Sequence, residues 1–327
     1  MMNSTSGSVG TNNSYTVNNS TNIAADRTVE LWVMCSINIA ISLFVIIGNS
    51  LILWTVYKVE SLHTVTSMFI ANVSVVDLLT GFVVISMSVT TDFIMPLIKD
   101  TYTLNKQFCI ARTFMLAFLY GLSLFGLIGI AIERYVAVIY PLRYNSLLTV
   151  NKAKVMIASI WLYILTISVV MFIDGVNVFQ AEQECSMNNT LNRSYFTFIQ
   201  INILVPILVI VFVYSKITWV ALKHRSKIIC QLASVDNARA VAYKNEHSIV
   251  KAATIVNVVF IIMYGQFVII SSVRSESEWY KTVWDVSSAI IRLNSGVNPW
   301  IFGICHKKYK NALLFALKIK PNEVLSE

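Results

Sequence analysis

Seven long apolar runs, separated by short polar stretches, leave few folds open to this chain. They are Leu31–Tyr57, Val65–Ile94, Lys106–Tyr140, Lys152–Ile173, Tyr195–Leu222, Ser248–Ser272 and Tyr280–Ile304. Each supplies the ~20 residues that a helix needs to cross the roughly 30 Å hydrocarbon core of a bilayer. Backbone amides in lipid must be bonded within their own segment, so runs of this length are expected to be helices. Composition agrees. The 327 residues are 56% hydrophobic and 13% charged, with a mean hydropathy of +0.66, whereas a soluble domain carries about 25% charged residues. The expected fold is an all-α membrane protein, a seven-transmembrane helix bundle. No internal repeat is visible, which argues against transporters built from inverted repeats.

The flanks differ in kind. Residues 1–30 are polar and rich in Asn, Ser and Thr, with no apolar core of a cleaved signal peptide, and are expected to form a disordered extracellular tail. Asn-x-Ser/Thr sequons fall at Asn3, Asn12, Asn18 and Asn19, and again at Asn188 and Asn192. These are candidate glycosylation sites, although chance sequons are common in so Asn-rich a tail. Residues 31–304 form the membrane domain, and 305–327 the cytoplasmic end. Within that end, His306–Lys318 sets Tyr309, Leu313, Leu314 and Leu317 against four lysines, the pattern of a short eighth helix lying on the membrane surface. With the N-terminus outside, 17 of the 25 basic residues fall on the cytoplasmic side, and 10 of the 17 acids fall outside. The net charge of +8 is therefore a positive-inside bias and does not indicate nucleic acid. Plasma membrane, multi-pass, is the expected location, with lipid as the surroundings.

The third run carries the most informative residues. It ends Glu133-Arg134-Tyr135-Val136-Ala137-Val138-Ile139-Tyr140-Pro141-Leu142, and Pro141 closes the helix. An acid and a base at the rim of an apolar helix can pair with each other or with neighbouring helices, and an isolated pair there is often simply solvated. In the second run, Asp77 is a carboxylate deep in a membrane segment, a functional hypothesis by default. The plainer reading is a protonated acid sharing hydrogen bonds with Asn49.

Glu133-Arg134-Tyr135 with the following Pro141-Leu142 resembles the signature that ends the third helix of rhodopsin-like G protein-coupled receptors. Gly48-Asn49, Asp77, Trp161, Pro206, Tyr214 and Asn298-Pro299 follow the family pattern in order, so the resemblance spans roughly Trp32 to Leu317. It implies a receptor that passes extracellular ligand binding to a heterotrimeric G protein. It also implies a disulfide between Cys109 and Cys185, two cysteines on the oxidising side. An allosteric sodium site is implied at Asp77, Ser123, Asn294, Ser295 and Asn298, the kind of oxygen set that suits a hard cation. No other cofactor is expected. Activation and coupling would fall to Glu133, Arg134, Tyr135, Pro141, Leu142, Tyr214, Glu246, Phe260, Tyr264, Pro299 and Phe302, with Glu246 as a partner for Arg134 in the inactive state.

Two departures stand out. The family's Trp-x-Pro kink in the sixth helix is replaced by Tyr264-Gly265-Gln266, and the last residue of Asn-Pro-x-x-Tyr is Phe302. Leu116 stands where amine receptors carry an aspartate, so a monoamine is disfavoured. Arg292 stands where opsins carry the retinal lysine, and arginine forms no Schiff base. Leu116, Tyr264, Phe267 and Arg292 are the candidate ligand pocket. Arg292 reads either as an anchor for a ligand carboxylate or phosphate or as an internal partner of Asp92, Asp174 or Asp285. Glu182, Glu184, Glu276 and Glu278 on the outer rim would instead suit a cationic peptide. The competing class is a multi-helical transporter or channel that uses Asp77 and Arg292. No nucleophile or metal-ligand motif points to an enzyme.

Overall fold

The structure is a computed structural model and describes residues 12–98, 104–180, 185–231, 255, 258–259, 261–273, 277–305 and 307–317. Helix α1 covers Asn12–Lys58, α2 Val65–Ile98, α3 Lys106–Ile139, α4 Val150–Phe172 and α5 Arg193–Gln231. The described part of α6 is Ile261–Ser272, and α7 (Glu278–Cys305) and α8 (Lys307–Ala316) follow. Among the described residues, α1 to α5 are long and apolar enough to cross a bilayer. Helix α7 has the length but interrupts its apolar face with Lys281, Asp285, Arg292, Asn294 and Asn298, which suits a helix that faces the bundle interior.

Local chemistry sets the helix starts. Thr64 accepts from the Ser67 amide, Asn105 from Gln107, Thr149 from Lys152 and Asn192 from Tyr195, so α2 to α5 each begin on a side-chain oxygen. Helix α3 stops at Ile139, before Pro141. Two widened π turns interrupt α2, at Thr80–Ile85 and Val89–Ile94. Each shifts the face on which later residues lie, and Asp92 belongs to the second. Gly175, at φ +90°, turns the chain between α4 and α5, where a side chain would be strained.

Helix α3 packs on α2, α4 and α5, while α1 packs on α2 and α7. The main core gathers Phe69, Ile70 and Val73 of α2, Leu124 and Leu127 of α3, Ile210 of α5 and Tyr264 of α6. Gly296 lets α7 approach α1 closely, since a Cβ there would lie 2.5 Å from the Phe44 ring. The outward faces carry Leu162, Leu208 and Phe212, exposed apolar side chains of the kind that lipid covers.

Two expectations need correction. Helix α1 begins at Asn12 instead of Leu31, so the tail expected to be disordered is helical from Asn12 onward. Extending a helix already nucleated in the membrane fixes one residue per added hydrogen bond, and Thr282 on α7 holds Glu30 at 2.6 Å. Tyr309 of α8 does not lie on the membrane face. It is buried and donates to Ser67 Oγ of α2 at 2.5 Å, and burial pushes its phenol up to about 12. A buried phenol needs an acceptor, and α2 supplies it.

Candidate functional site

Polar residues converge at three levels along the bundle. At the end of the bundle where α3 stops, Glu133 is fully buried and accepts from Thr66 Oγ1, Tyr144 OH and Arg134 NH2, each at 2.7 Å. Arg134 also donates through Nε to Glu133 and through NH2 to Thr66, both at 2.5 Å. Burial, then the bond to Glu133, holds the Tyr144 hydroxyl above its ordinary pKa, so it stays a donor at neutral pH. The Arg134 side chain keeps 26% of its surface exposed, and Tyr214 of α5 comes near it. Leu142 is fully exposed just beyond α3, and Tyr135 packs edge-on against Tyr140. Glu246 and Phe260 lie outside the described residues, as does the side chain of Phe302. Pairing of Arg134 with Glu133 is therefore present, and Thr66 and Tyr144 are partners that sequence reading missed.

At mid-depth, Asp77 is fully buried. Ser123 of α3 donates to its Oδ1 at 2.7 Å and Asn298 of α7 to its Oδ2 at 2.8 Å, and Ser295 also faces it. Asn49 of α1 donates to the Ser295 carbonyl at 3.0 Å, tying α1 to α7 instead of bonding Asp77. Pro299 lies buried against Gly48. Asn294 donates to the Tyr264 hydroxyl at 3.0 Å, so the tyrosine in the tryptophan position links α6 to the Asp77 cluster. Gln266, in the proline position, reaches the Ser287 carbonyl of α7 at 3.3 Å. The two departures thus add polar ties between α6 and α7. Tyr264→Phe would leave the Asn294 amide short of an acceptor in a buried site, at a cost of about 1–3 kcal/mol. A double-mutant cycle of Tyr264→Phe with Asn294→Ala, read by thermal unfolding, is expected to be non-additive, and full additivity would contradict the link.

At the opposite end, where α3 begins, Cys109 and Cys185 form a disulfide with Cα atoms 5.6 Å apart, fastening the loop after α4 to α3. Non-reducing peptide mapping of the surface protein is expected to recover that linked pair, and two free thiols would contradict it. Arg292 is buried, donates to Asn38 Oδ1 at 2.7 Å and lies 4.0 Å from Asp92. Asp92 is thus one internal partner of Arg292. Arg112, missed in the sequence reading, binds the same carboxylate at 2.5 Å. Phe267 packs against Trp284 at 5.8 Å, while Leu116 packs against the cluster around Val84 and Leu119. Trp161 bonds Asn72 at 2.9 Å, tying α4 to α2.

The sequons fall in different settings. Asn3 lies outside the described residues, and Asn12, Asn18 and Asn19 lie on α1. Asn188 sits in a single helical turn, Met187–Thr190, with its Oδ1 buried. Asn192 uses both amide atoms, donating to Gly175 and capping α5.

Helix order, the Asp77 cluster and the Glu133-Arg134 network are joined by direct sequence matches. The description "7 transmembrane receptor (rhodopsin family)" matches residues 48–302. Adenosine receptor A2a of dog (Canis lupus familiaris) is 27% identical over 248 residues, which are 70% of this chain and 58% of that relative. Adenosine receptor A2a of horse (Equus caballus) is 26% identical over 302 residues, 87% of this chain and 72% of the relative. Trace amine-associated receptor 9 of mouse (Mus musculus) is 25% identical over 287 residues, 83% and 80% respectively. The chain belongs to the rhodopsin family of seven-transmembrane receptors, a G protein-coupled class of multi-pass membrane proteins. The transporter or channel reading finds no support in these matches.

Proposed function

We propose that this chain lies in the plasma membrane with its N-terminus outside, binds a ligand between the outer ends of its helices, and catalyses guanine-nucleotide exchange on a heterotrimeric G protein at the inner end. The observation that carries the reading is Arg134, docked on Glu133 and Thr66 at the inner ends of α3 and α2, with Leu142 exposed in the turn that follows α3. While the guanidinium is so held, it is not free to meet a partner. A second hold, on Glu246 at the start of the sixth segment, belongs to the same proposal. The test is nucleotide exchange on membranes containing the receptor and a G protein.

A sodium ion fits the mid-depth cluster. Asn294 Oδ1 and Ser295 Oγ are buried oxygens without hydrogen-bond partners, and Asp77 supplies a carboxylate beside Ser295. Asp77, Ser123, Asn294, Ser295 and Asn298 would hold the ion. When bound, it supplies positive charge that compensates Asp77 and joins α2, α3 and α7. The relatives are named for adenosine and for trace amines. An ammonium finds no carboxylate at Leu116, and Asp92 is already engaged by Arg112.

A further inference from the structure

Among the described residues of the outer half, two buried guanidiniums face a single carboxylate. Arg112 on α3 and Arg292 on α7 share one carboxylate, Asp92 on α2. Arg112 sits at contact distance, 2.5 Å, and also donates to the Cys185 carbonyl at 2.7 Å and toward Ser88 at 3.5 Å. Arg292 stands 4.0 Å from the carboxylate, and its hydrogen bond goes to the neutral amide of Asn38. Thr91 takes Asp92 Oδ1 as well. One donor remains among the described residues: Arg112 Nε is buried without a partner. The two arginine side chains are only 11% and 9% exposed. Among the described contacts, two guanidiniums share one carboxylate, so this cluster carries net positive charge in a place where water cannot fully solvate it.

The geometry points to an anion subsite, formed by Arg292 and Arg112 across Asp92, that anchors the carboxylate of a small extracellular ligand. This inference deepens the receptor reading and rests on it. A carboxylate brings acceptors and negative charge, which answer the spare Arg112 Nε and the cluster's net positive charge, and its planar pair of oxygens matches a guanidinium fork. About two turns outward from Arg292 on α7, Trp284 packs against Phe267 of α6, an aromatic wall for the ligand's apolar body. A cationic ligand would meet the net positive charge and be repelled, so the same residues select against amines.

Three isosteric probes test the subsite: phenylacetate, phenylacetamide and phenethylamine, which are anionic, neutral and cationic. Thermal unfolding of the purified full chain is followed at constant sodium concentration. Phenylacetate is expected to raise the unfolding temperature above the phenylacetamide value, and phenethylamine to leave it unchanged. Arg292→Gln is expected to raise the half-effective phenylacetate concentration about tenfold or more. Asp92→Asn removes the competing carboxylate while keeping its size, and is expected to lower that concentration about tenfold. If Arg292→Gln fails to fold, Arg112→Gln and Asp92→Asn carry the comparison. Equal shifts with acid and amide in the unaltered chain would overturn the subsite, as would an unchanged phenylacetate response in the folded arginine variants or no tightening in Asp92→Asn. G protein nucleotide exchange on the same preparation separates the two claims. Retained exchange with no anion preference removes the subsite alone, and anion preference without exchange removes the receptor reading alone.

Discussion

Asp77→Asn is expected to abolish the dependence of thermal stability on sodium. In the unaltered chain, stability should rise with sodium by about 1.4 kcal/mol for each tenfold increase above the dissociation constant. The amide keeps the size of the carboxylate and can still accept from Ser123 or Asn298, so the bundle is expected to fold. What is lost is the negative charge, without which neutral oxygens bind a hard monovalent cation weakly. Potassium in place of sodium serves as the control for ionic strength. A sodium response of undiminished slope in Asp77→Asn would remove the ion from the mid-depth cluster.

Glu133→Gln is expected to raise ligand-independent nucleotide exchange about tenfold. Three donors from α2, α3 and the turn after α3 meet on this one buried carboxylate. A charge-assisted hydrogen bond in such a site is worth roughly 1.5–3 kcal/mol, and 1.4 kcal/mol is a tenfold change in a two-state balance. Glutamine keeps the volume but offers one oxygen and no charge, so the Arg134 guanidinium is released. Tyr144→Phe removes one donor and leaves the ion pair, so a smaller rise is expected. Basal rates in Glu133→Gln equal to those of the unaltered chain would show that this network does not hold the resting state.

The arrangement of helices was legible because apolar runs report what lipid requires. They report only the part of a helix that lipid covers, which is why α1 extends back to Asn12. Asp77 was legible as a charge where charge is costly, and Ser123, Asn294, Ser295 and Asn298 followed from the family pattern. Glu133-Arg134 left two pairings open, because Thr66 and Tyr144 reach Glu133 through tertiary packing that spacing does not encode. Arg112 counted among the outer charges, being one turn from Cys109. Its burial depends on Asp92, and the facing of Asp92 depends on π turns in α2 that a 3.6-residue period cannot reveal. An ionisable residue inside an apolar run was the available signal. Tyr264 was visible as a departure, but its bond to Asn294 required both helices in place.

Guanine-nucleotide exchange on matched membranes, normalised to surface receptor, tests the central claim most directly. The unaltered chain is expected to accelerate exchange over receptor-free membranes, Glu133→Gln to accelerate it further, and Arg134→Ala to return it to the receptor-free rate with surface expression intact. Full exchange in Arg134→Ala would contradict the account.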